Sequence, residues 1–336
     1  MSLGRVGHRR VRWADGGPDT IAGLVLGLAL DRVLGDPQRL HPVAGFGRAA
    51  GALERLTYRD SRWAGALFWV VAVGAPVAAT AALDRAARTV PFARAGLTAA
   101  TVWAATGGTT LARVGVDLAD DLEDPDLTAA RRRLPMLCGR LPDQLDRPAL
   151  ARAGIESVAE NTADAAVGVV VWGAILGAPG VVAYRAVNTL DAMVGHRSER
   201  YGRFGWAAAR ADDVLGYPAA RLTGVLAALR ARVVGGSGAA ALRVWRADAA
   251  AHPSPNAGVC EAAWAGALDI SLGGPTPYRY GTQLRPVLGA GGRDPGPDDV
   301  RRAATLSLRV QEAAVLAAAV ALGAVYGVRR IQRRRP

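Results

Sequence analysis

Glu156, Glu160 and Asp164 recur every four residues, so on a helix three carboxylates share one face, with Asn161 beside them. Acids stacked this way repel one another. A divalent cation relieves that repulsion, because it prefers hard oxygen ligands and bridges carboxylates to the phosphates of a nucleotide. A solvated helix start, with acids at the positive end of the macrodipole, shows the same spacing. A second cluster favours chemistry: Arg185, Asn188, Asp191, His196, Arg197, Glu199, Arg200 and Tyr201 bring groups that bind anions and move protons into one short stretch. Between the clusters, 163–184 is apolar and Gly-rich, with GAPG marking a break near its end.

Two further stretches carry polar handles. In LGDPQRLHPVAGFG, Asp36 before Pro37 ends a helix, and Arg39 and His41 follow; a histidine beside a proline is more often structural than catalytic. In AHPSPNAGVCEAAW, His252, Ser254 and Asn256 occupy a Pro-punctuated turn, and Asn256 is expected to cap the helix that carries Glu261. The alternating acidic and basic residues of 117–133 read as a solvated face.

The elements that must hold these groups are apolar. The uncharged run 64–83 is the best candidate to cross a membrane, 95–116 is interrupted only by Arg113, and 21–34, 163–184 and 311–328 are further apolar helices. Pro76 is tolerable inside its span, since neighbouring helices can satisfy the freed carbonyl. The expected fold class is all-α: a polytopic integral membrane helical protein with Gly/Pro-rich functional loops. We expect a mobile basic tail over 1–20, a single membrane-embedded domain over 21–328, a flexible joint at GGSG (235–238), and a basic tail over 329–336 that anchors on the cytoplasmic side by the positive-inside rule.

Composition narrows the function. The 336-residue chain carries a net charge of +12 with no lysine at all, a pattern that GC-rich coding produces, and a P-loop, which needs its lysine, is excluded. Cys138 and Cys260 are the only cysteines and lack partners at metal-ligand spacing, which argues against a disulfide framework and structural zinc. The arginines are scattered rather than striped with aromatics, so nucleic acid is not an expected partner.

The segments LALDRVLGDPQRLHPVAGFG, ESVAENTADA, YRAVNTLDAMVGHRSERYGRFGWAAARADD and HPSPNAGVCEAAWAGAL, followed by LGG and YG, resemble the adenosylcobinamide-phosphate synthase family of cobalamin biosynthesis, the CobD/CbiB proteins, in order from about Leu24 to Tyr326. Cys260 and Asp269 depart from that pattern. The resemblance implies an integral membrane enzyme of the bacterial cell membrane that joins adenosylcobyric acid to (R)-1-amino-2-propanol or its O-phosphate, using ATP and Mg2+. Other cobalamin-biosynthesis enzymes are candidate partners.

Amide formation from a carboxylate needs a better leaving group, which phosphorylation by ATP supplies. On that basis Glu156, Glu160 and Asp164 are assigned to the metal, with Asn161 on a phosphate or metal-bound water. Arg185 and Arg197 are assigned to phosphoryl charge, Asp191 or His252 to the base, and Asn188 or Asn256 to the oxyanion donor. Asp36, His41 and Glu261 complete the substrate-binding set. Trp172, Trp206 and Trp264 are candidates to line a corrinoid groove, although core packing is the commoner use of tryptophan. With ATP and corrinoid cytoplasmic, the motifs must meet on that side, which favours a partly inserted 163–184 over a full crossing, or an additional crossing by 217–234. The rival class is a transporter or corrinoid carrier with intramembrane carboxylates.

Overall fold

The computed structural model describes residues 17–36, 41–196, 198–278 and 281–334. The chain opens with α1 (Gly17–Leu34), α2 (Pro42–Thr57) and α3 (Arg62–Ala87). Residues 17–20 are thus already helical rather than part of a tail, and 1–16 lie outside the described residues. α3 contains the run 64–83 with Pro76 inside it. Residues 95–116, expected as one apolar helix, are divided between α4 (Ala93–Ala105) and α5 (Gly108–Glu123), because Thr106 turns extended ahead of Gly107. α1 crosses α4 closely: a Cβ on Gly23 would collide with Thr98, and one on Gly27 with Val102. Small residues four apart permit that approach.

After α6 (Thr128–Arg133) comes α7 (Arg147–Thr162), whose start is fixed by Asp146 accepting from the Ala149 N–H at 3.0 Å and by Pro148 in its first turn. α7 packs against α5 and continues through a π-helical turn, Ala163–Val167, into α8 (Gly168–Leu176). At Gly177, with φ of 69°, the chain reverses into α9 (Ala178–Leu190). A Cβ on Gly168 would strike the Tyr184 ring, one on Gly173 would press on Val181, and one on Gly180 would strike the Trp172 carbonyl, so α8 and α9 lie antiparallel as a hairpin. A side chain forced in at Gly168 would cost about 1–3 kcal/mol or more by overpacking. The break read from GAPG is therefore a complete reversal within 163–184.

A second π-helical turn, Asp191–Gly195, ends α9; α10 (Trp206–Arg230), α11 (Gly238–Asp248) and α12 (Ala257–Leu268) follow. The GGSG sequence between α10 and α11 is not a flexible joint. The Ser237 N–H donates to the Ala267 carbonyl at 3.2 Å, the Ser237 hydroxyl accepts from the Ala240 N–H at 3.2 Å to cap α11, and Gly236 lies too close to Ala267 for any side chain. The all-α expectation holds apart from an antiparallel hairpin of β1 (Leu272–Tyr278) and β2 (Gly281–Leu288), with a register shift between Leu272 and Gly274. α13 (Pro297–Arg334), which includes 311–328, closes the chain.

Among the described residues three helical stretches are long and apolar enough to cross a membrane: Arg62–Ala87, Arg147–Leu176 and Pro297–Arg330. They are not equivalent. The most apolar windows of the first and third are 17 % and 28 % buried by protein, and α3 turns Trp63, Leu67 and Val70 outward. That of the second is 61 % buried, and nearly every residue of α7 from Leu150 to Thr162 is in the core. The stretch bearing the acids is the central element, and the other two are outer walls. The charged face over 117–133 is an exposed ion-pair lattice, in which Arg133 meets Asp117 and Asp121 while Arg301 of α13 meets Asp120 and Glu123.

Candidate active site

Glu156, Glu160, Asn161 and Asp164 of the α7 stretch face a cavity of about 340 Å³ that Asn188 and Asp191 line from the base of α9, with Arg140 and Arg285 completing the wall. Both π-helical turns contribute an acid, Asp164 from the first and Asp191 from the second. A π-turn re-aims a side chain off the regular helical face, and the α8–α9 hairpin brings the two turns together. Asn188 joins them: its amide donates to Asp164 and to Asp212 of α10, each at 3.3 Å, and its oxygen accepts from Arg185 at 3.1 Å.

The cavity is electrically divided. At one end Glu156 is buried and ion-paired with Arg140 and, at 3.7 Å, with Arg285, and it accepts the Gly273 N–H at 2.7 Å. Arg285 also meets Glu261 at 3.4 Å, and Glu261 lies 3.6 Å from His252 Nε2. Burial, reinforced by Glu156 and Glu160, holds the Glu261 carboxyl well above the usual carboxylate range, and burial pushes the His252 imidazole down. At the other end Asp164 and Asp212 share Asn188 as a neutral contact, and Asp191 lines the same cavity. Burial and the charges of Asp213 and Glu160 raise Asp191 to about 6, and burial with Asp191 raises Asp212 to about 7. Such acids bind protons or a cation.

The expected residues are thus distributed unevenly. Glu156, Glu160, Asn161, Asp164, Asn188 and Asp191 share one cavity. His252 does not reach it: its side chain is 1 % exposed, and Nδ1 sits 3.1 Å from the Ser254 N–H. Asn256 is also behind the wall, accepting from Arg221 at 2.8 Å and donating to the Asp213 carbonyl at 2.9 Å. It does not cap α12; the Ser254 hydroxyl does, accepting from the Ala257 N–H at 3.1 Å. His41 caps α2, its Nδ1 accepting from the Val43 N–H at 3.2 Å. Asp36 ends α1 and its field reaches Arg185. Arg197 lies outside the described residues. Trp264 is core, donating to the Ala303 carbonyl, while Trp172 and Trp206 donate to the Leu215 and Arg62 carbonyls at 2.9 Å. Asn161 turns back on its own helix, donating to Ser157.

Among the described residues no three of His, Cys, Asp and Glu form a ready metal cage. Glu156, saturated by two guanidinium groups and a peptide N–H, is poorly suited as a ligand. Glu160, Asp164 and Asp191 line the cavity and Asp212 is linked to Asp164 through Asn188; together they offer hard carboxylate oxygens, the donor type that a divalent cation such as magnesium takes. Sequence reasoning missed Asp212, although ARADD contained it, and also Arg140 and Arg285.

Apolar outer helices around a central cavity lined by acids and arginines define a helical protein of the membrane type. The family model described as "CobD/Cbib protein" matches residues 24–307. The chain belongs to the CobD/CbiB family. It is 56 % identical over 315 residues to the "Cobalamin biosynthesis protein CobD" of Mycobacterium tuberculosis, covering 94 % of this chain and 96 % of that one. It is 40 % identical over 311 residues to the protein of the same name from Chromobacterium violaceum, covering 90 % and 98 %. The corresponding values for Sinorhizobium fredii are 38 % over 310 residues, 88 % and 95 %. No solved structure matches the chain.

Proposed function

We propose that the chain acts in cobalamin biosynthesis as a multi-pass enzyme of the bacterial cell membrane, joining adenosylcobyric acid to (R)-1-amino-2-propanol or its O-phosphate at the expense of ATP. The observation that carries this reading is the divided cavity along α7, arginines at the Glu156 end and unneutralised acids at the Asp164 end. That is the charge pattern a metal-bound triphosphate requires. Membership of a family whose relatives are named for cobalamin biosynthesis supplies the substrate class.

In the first step a carboxylate oxygen of the corrinoid attacks the γ-phosphorus of ATP and ADP leaves. In the second the amine nitrogen attacks the acyl carbon, phosphate leaves and the amine gives up a proton. Arg285 and Arg140 are placed to take phosphoryl charge, and their seat on Glu156 and Glu261 holds them ready before substrate arrives. Glu160 and Asp164, with Asp212 joined to Asp164 through Asn188, are the residues that would hold Mg2+, which when bound neutralises phosphate charge and orients the leaving group. Asp191 is favoured over His252 as proton acceptor, because it lines the cavity and is raised to about 6, within range of an ammonium donor at neutral pH. Asn188 is favoured over Asn256 as the amide donor near the reacting carbonyl, again by position. The α8–α9 reversal supports a segment that enters and leaves on the same side, keeping the site cytoplasmic while apolar helices exclude bulk water from the activated acid.

The test is direct. Detergent-solubilised protein is incubated with adenosylcobyric acid, Mg-ATP and aminopropanol phosphate, and mass spectrometry looks for the coupled amide beside ADP. Product dependent on all three additions is expected; corrinoid binding with no product from either amine would replace the enzyme by a carrier or transporter.

A further inference from the structure

The acid row of α7 runs about 12 Å from Glu156 to Asp164, eight residues at 1.5 Å each. Guanidinium groups stand at both ends, and they stand differently. Arg140 and Arg285 grip Glu156 at one end. Arg185, at the other, is a hydrogen bond from Asn188, and Asn188 is in turn one hydrogen bond from Asp164 and Asp212. A cation and two carboxylates therefore lie two hydrogen bonds apart across one amide side chain. Arg185 Nε is buried with no hydrogen-bond partner, a donor left over for something else.

Arg185 also forms part of the wall of a separate cavity of about 290 Å³ between α2, α3, α4 and α9. The rest of that wall is mostly apolar, including Pro42, Phe46, Pro76, Ala104 and Val182. Its hydroxyls are already engaged: Thr80 donates to the Pro76 carbonyl at 2.8 Å, Thr101 to the Leu97 carbonyl at 3.0 Å and Thr189 to the Arg185 carbonyl at 2.7 Å. Little is left there to read a base or a ribose, so the cavity is ill suited to a nucleotide. Among the described residues its one charged lining group is the Arg185 guanidinium, so it suits a short aliphatic body that carries an anion.

We propose, on the basis of the amide-forming reading above, that this cavity is the amine subsite: Arg185 holds the phosphate of a short phosphorylated amino alcohol, the apolar wall takes its carbon chain, and the amine points past Asn188 toward Asp164 and Asp212. Two anions then occupy opposite ends of the acid row, the nucleotide at Arg140 and Arg285 and the second substrate at Arg185. The amine reaches the activated acid from the Asn188 end of the row, opposite the guanidinium groups that hold the nucleotide, and Arg185 favours the phosphorylated amine over the free one.

Calorimetric titration of the detergent-solubilised full chain tests this without turnover. The probes are 1-amino-2-propanol O-phosphate, 1-amino-2-propanol and Mg-ATP; the proteins are wild type, Arg185→Gln, Arg185→Lys and Ala104→Leu, each checked for an unchanged unfolding transition. Wild type is expected to bind the phosphorylated amine more tightly than the free one. Arg185→Gln should weaken the phosphorylated amine about 10- to 100-fold, the range for charge-assisted hydrogen bonds, with Arg185→Lys between the two and Mg-ATP unchanged. Ala104→Leu, which fills the cavity and touches no charge, should weaken both amines and spare Mg-ATP. Absence of phosphorylated-amine binding by wild type, equal losses of both amines in Arg185→Gln, loss of Mg-ATP in that variant, or normal amine binding in Ala104→Leu would each overturn the subsite. Coupling is scored separately by mass spectrometry: a chain that binds this way yet forms no amide refutes the reaction and leaves the subsite standing.

Discussion

Glu156 and Asp164 stand two helical turns apart on the same stretch and live in opposite surroundings. Glu156 has two guanidinium groups at one carboxylate oxygen and a peptide N–H at the other, so its charge is matched within the fold. Asp164 shares Asn188 with Asp212, and the nearest guanidinium, that of Arg185, bonds the amide rather than either acid. The first arrangement is finished when the chain folds. The second is completed only by a proton or a cation from outside, and this separates a carboxylate that builds a site from one that works in it.

Substitution should separate the two ends. Asp191→Asn or Glu160→Gln should lower turnover by about 10²–10⁴-fold while the protein stays folded, because the lost group acts on the reaction and not on packing; near-normal turnover in either variant removes that residue from the working end. Glu156→Gln should act on the fold first, costing about 3–5 kcal/mol by leaving Arg140 and Arg285 short of a counter-charge, as denaturant unfolding would measure. A stable but inactive Glu156→Gln protein would move Glu156 to the working end.

A pH series probes the same contrast with no substitution. Burial raises Asp191 to about 6 and Asp212 to about 7 in the native state, above their unfolded value of roughly 4. The native state therefore holds these protons to higher pH, and stability should fall by several kcal/mol as pH rises from roughly 4 through about 7, then level off. Magnesium should restore most of that loss at pH 8 and little at pH 5, where the acids are protonated. Thermal unfolding with and without the ion reads this out; an ion effect independent of pH would contradict it. The smallest effect is expected from His252→Gln, roughly 1 kcal/mol of stability and less than about tenfold in turnover, since the imidazole sits behind the arginine seat. A loss as large as that of Asp191→Asn would return His252 to the role of base.

Spacing made the α7 row legible, since residues four apart must share a helical face whatever surrounds them. Length and absence of charge likewise disclosed α3 and the apolar part of α13, and GAPG disclosed the reversal at Gly177. The run 95–116 misled because Thr106 and Gly107 end a helix without adding polarity that hydropathy would register. β1 and β2 were hidden by Pro275, Pro277 and Pro286, which signal loop in a sequence yet are tolerated in a two-stranded hairpin where both strands are edges. Arg285 was hidden with them. Arg140 was passed over because it follows a charged stretch that is indeed mostly solvated, and only tertiary packing draws it under Glu156. His252 and Asn256 have suitable chemistry, but residue type does not disclose on which side of a wall a side chain falls.

The π-helical turns at Ala163–Val167 and Asp191–Gly195 each hold one residue more than an ordinary turn. Each can be regarded as a one-residue insertion into an ancestral regular helix, and the position of the working acids depends on that extra residue. Deleting Ala163 would remove the extra residue and rewind the stretch into uninterrupted α-helix, taking Asp164 off the widened turn that aims it. The acid row would keep its composition and lose its aim. For this family, conserved length between the two clusters should then matter as much as the identity of any residue within them.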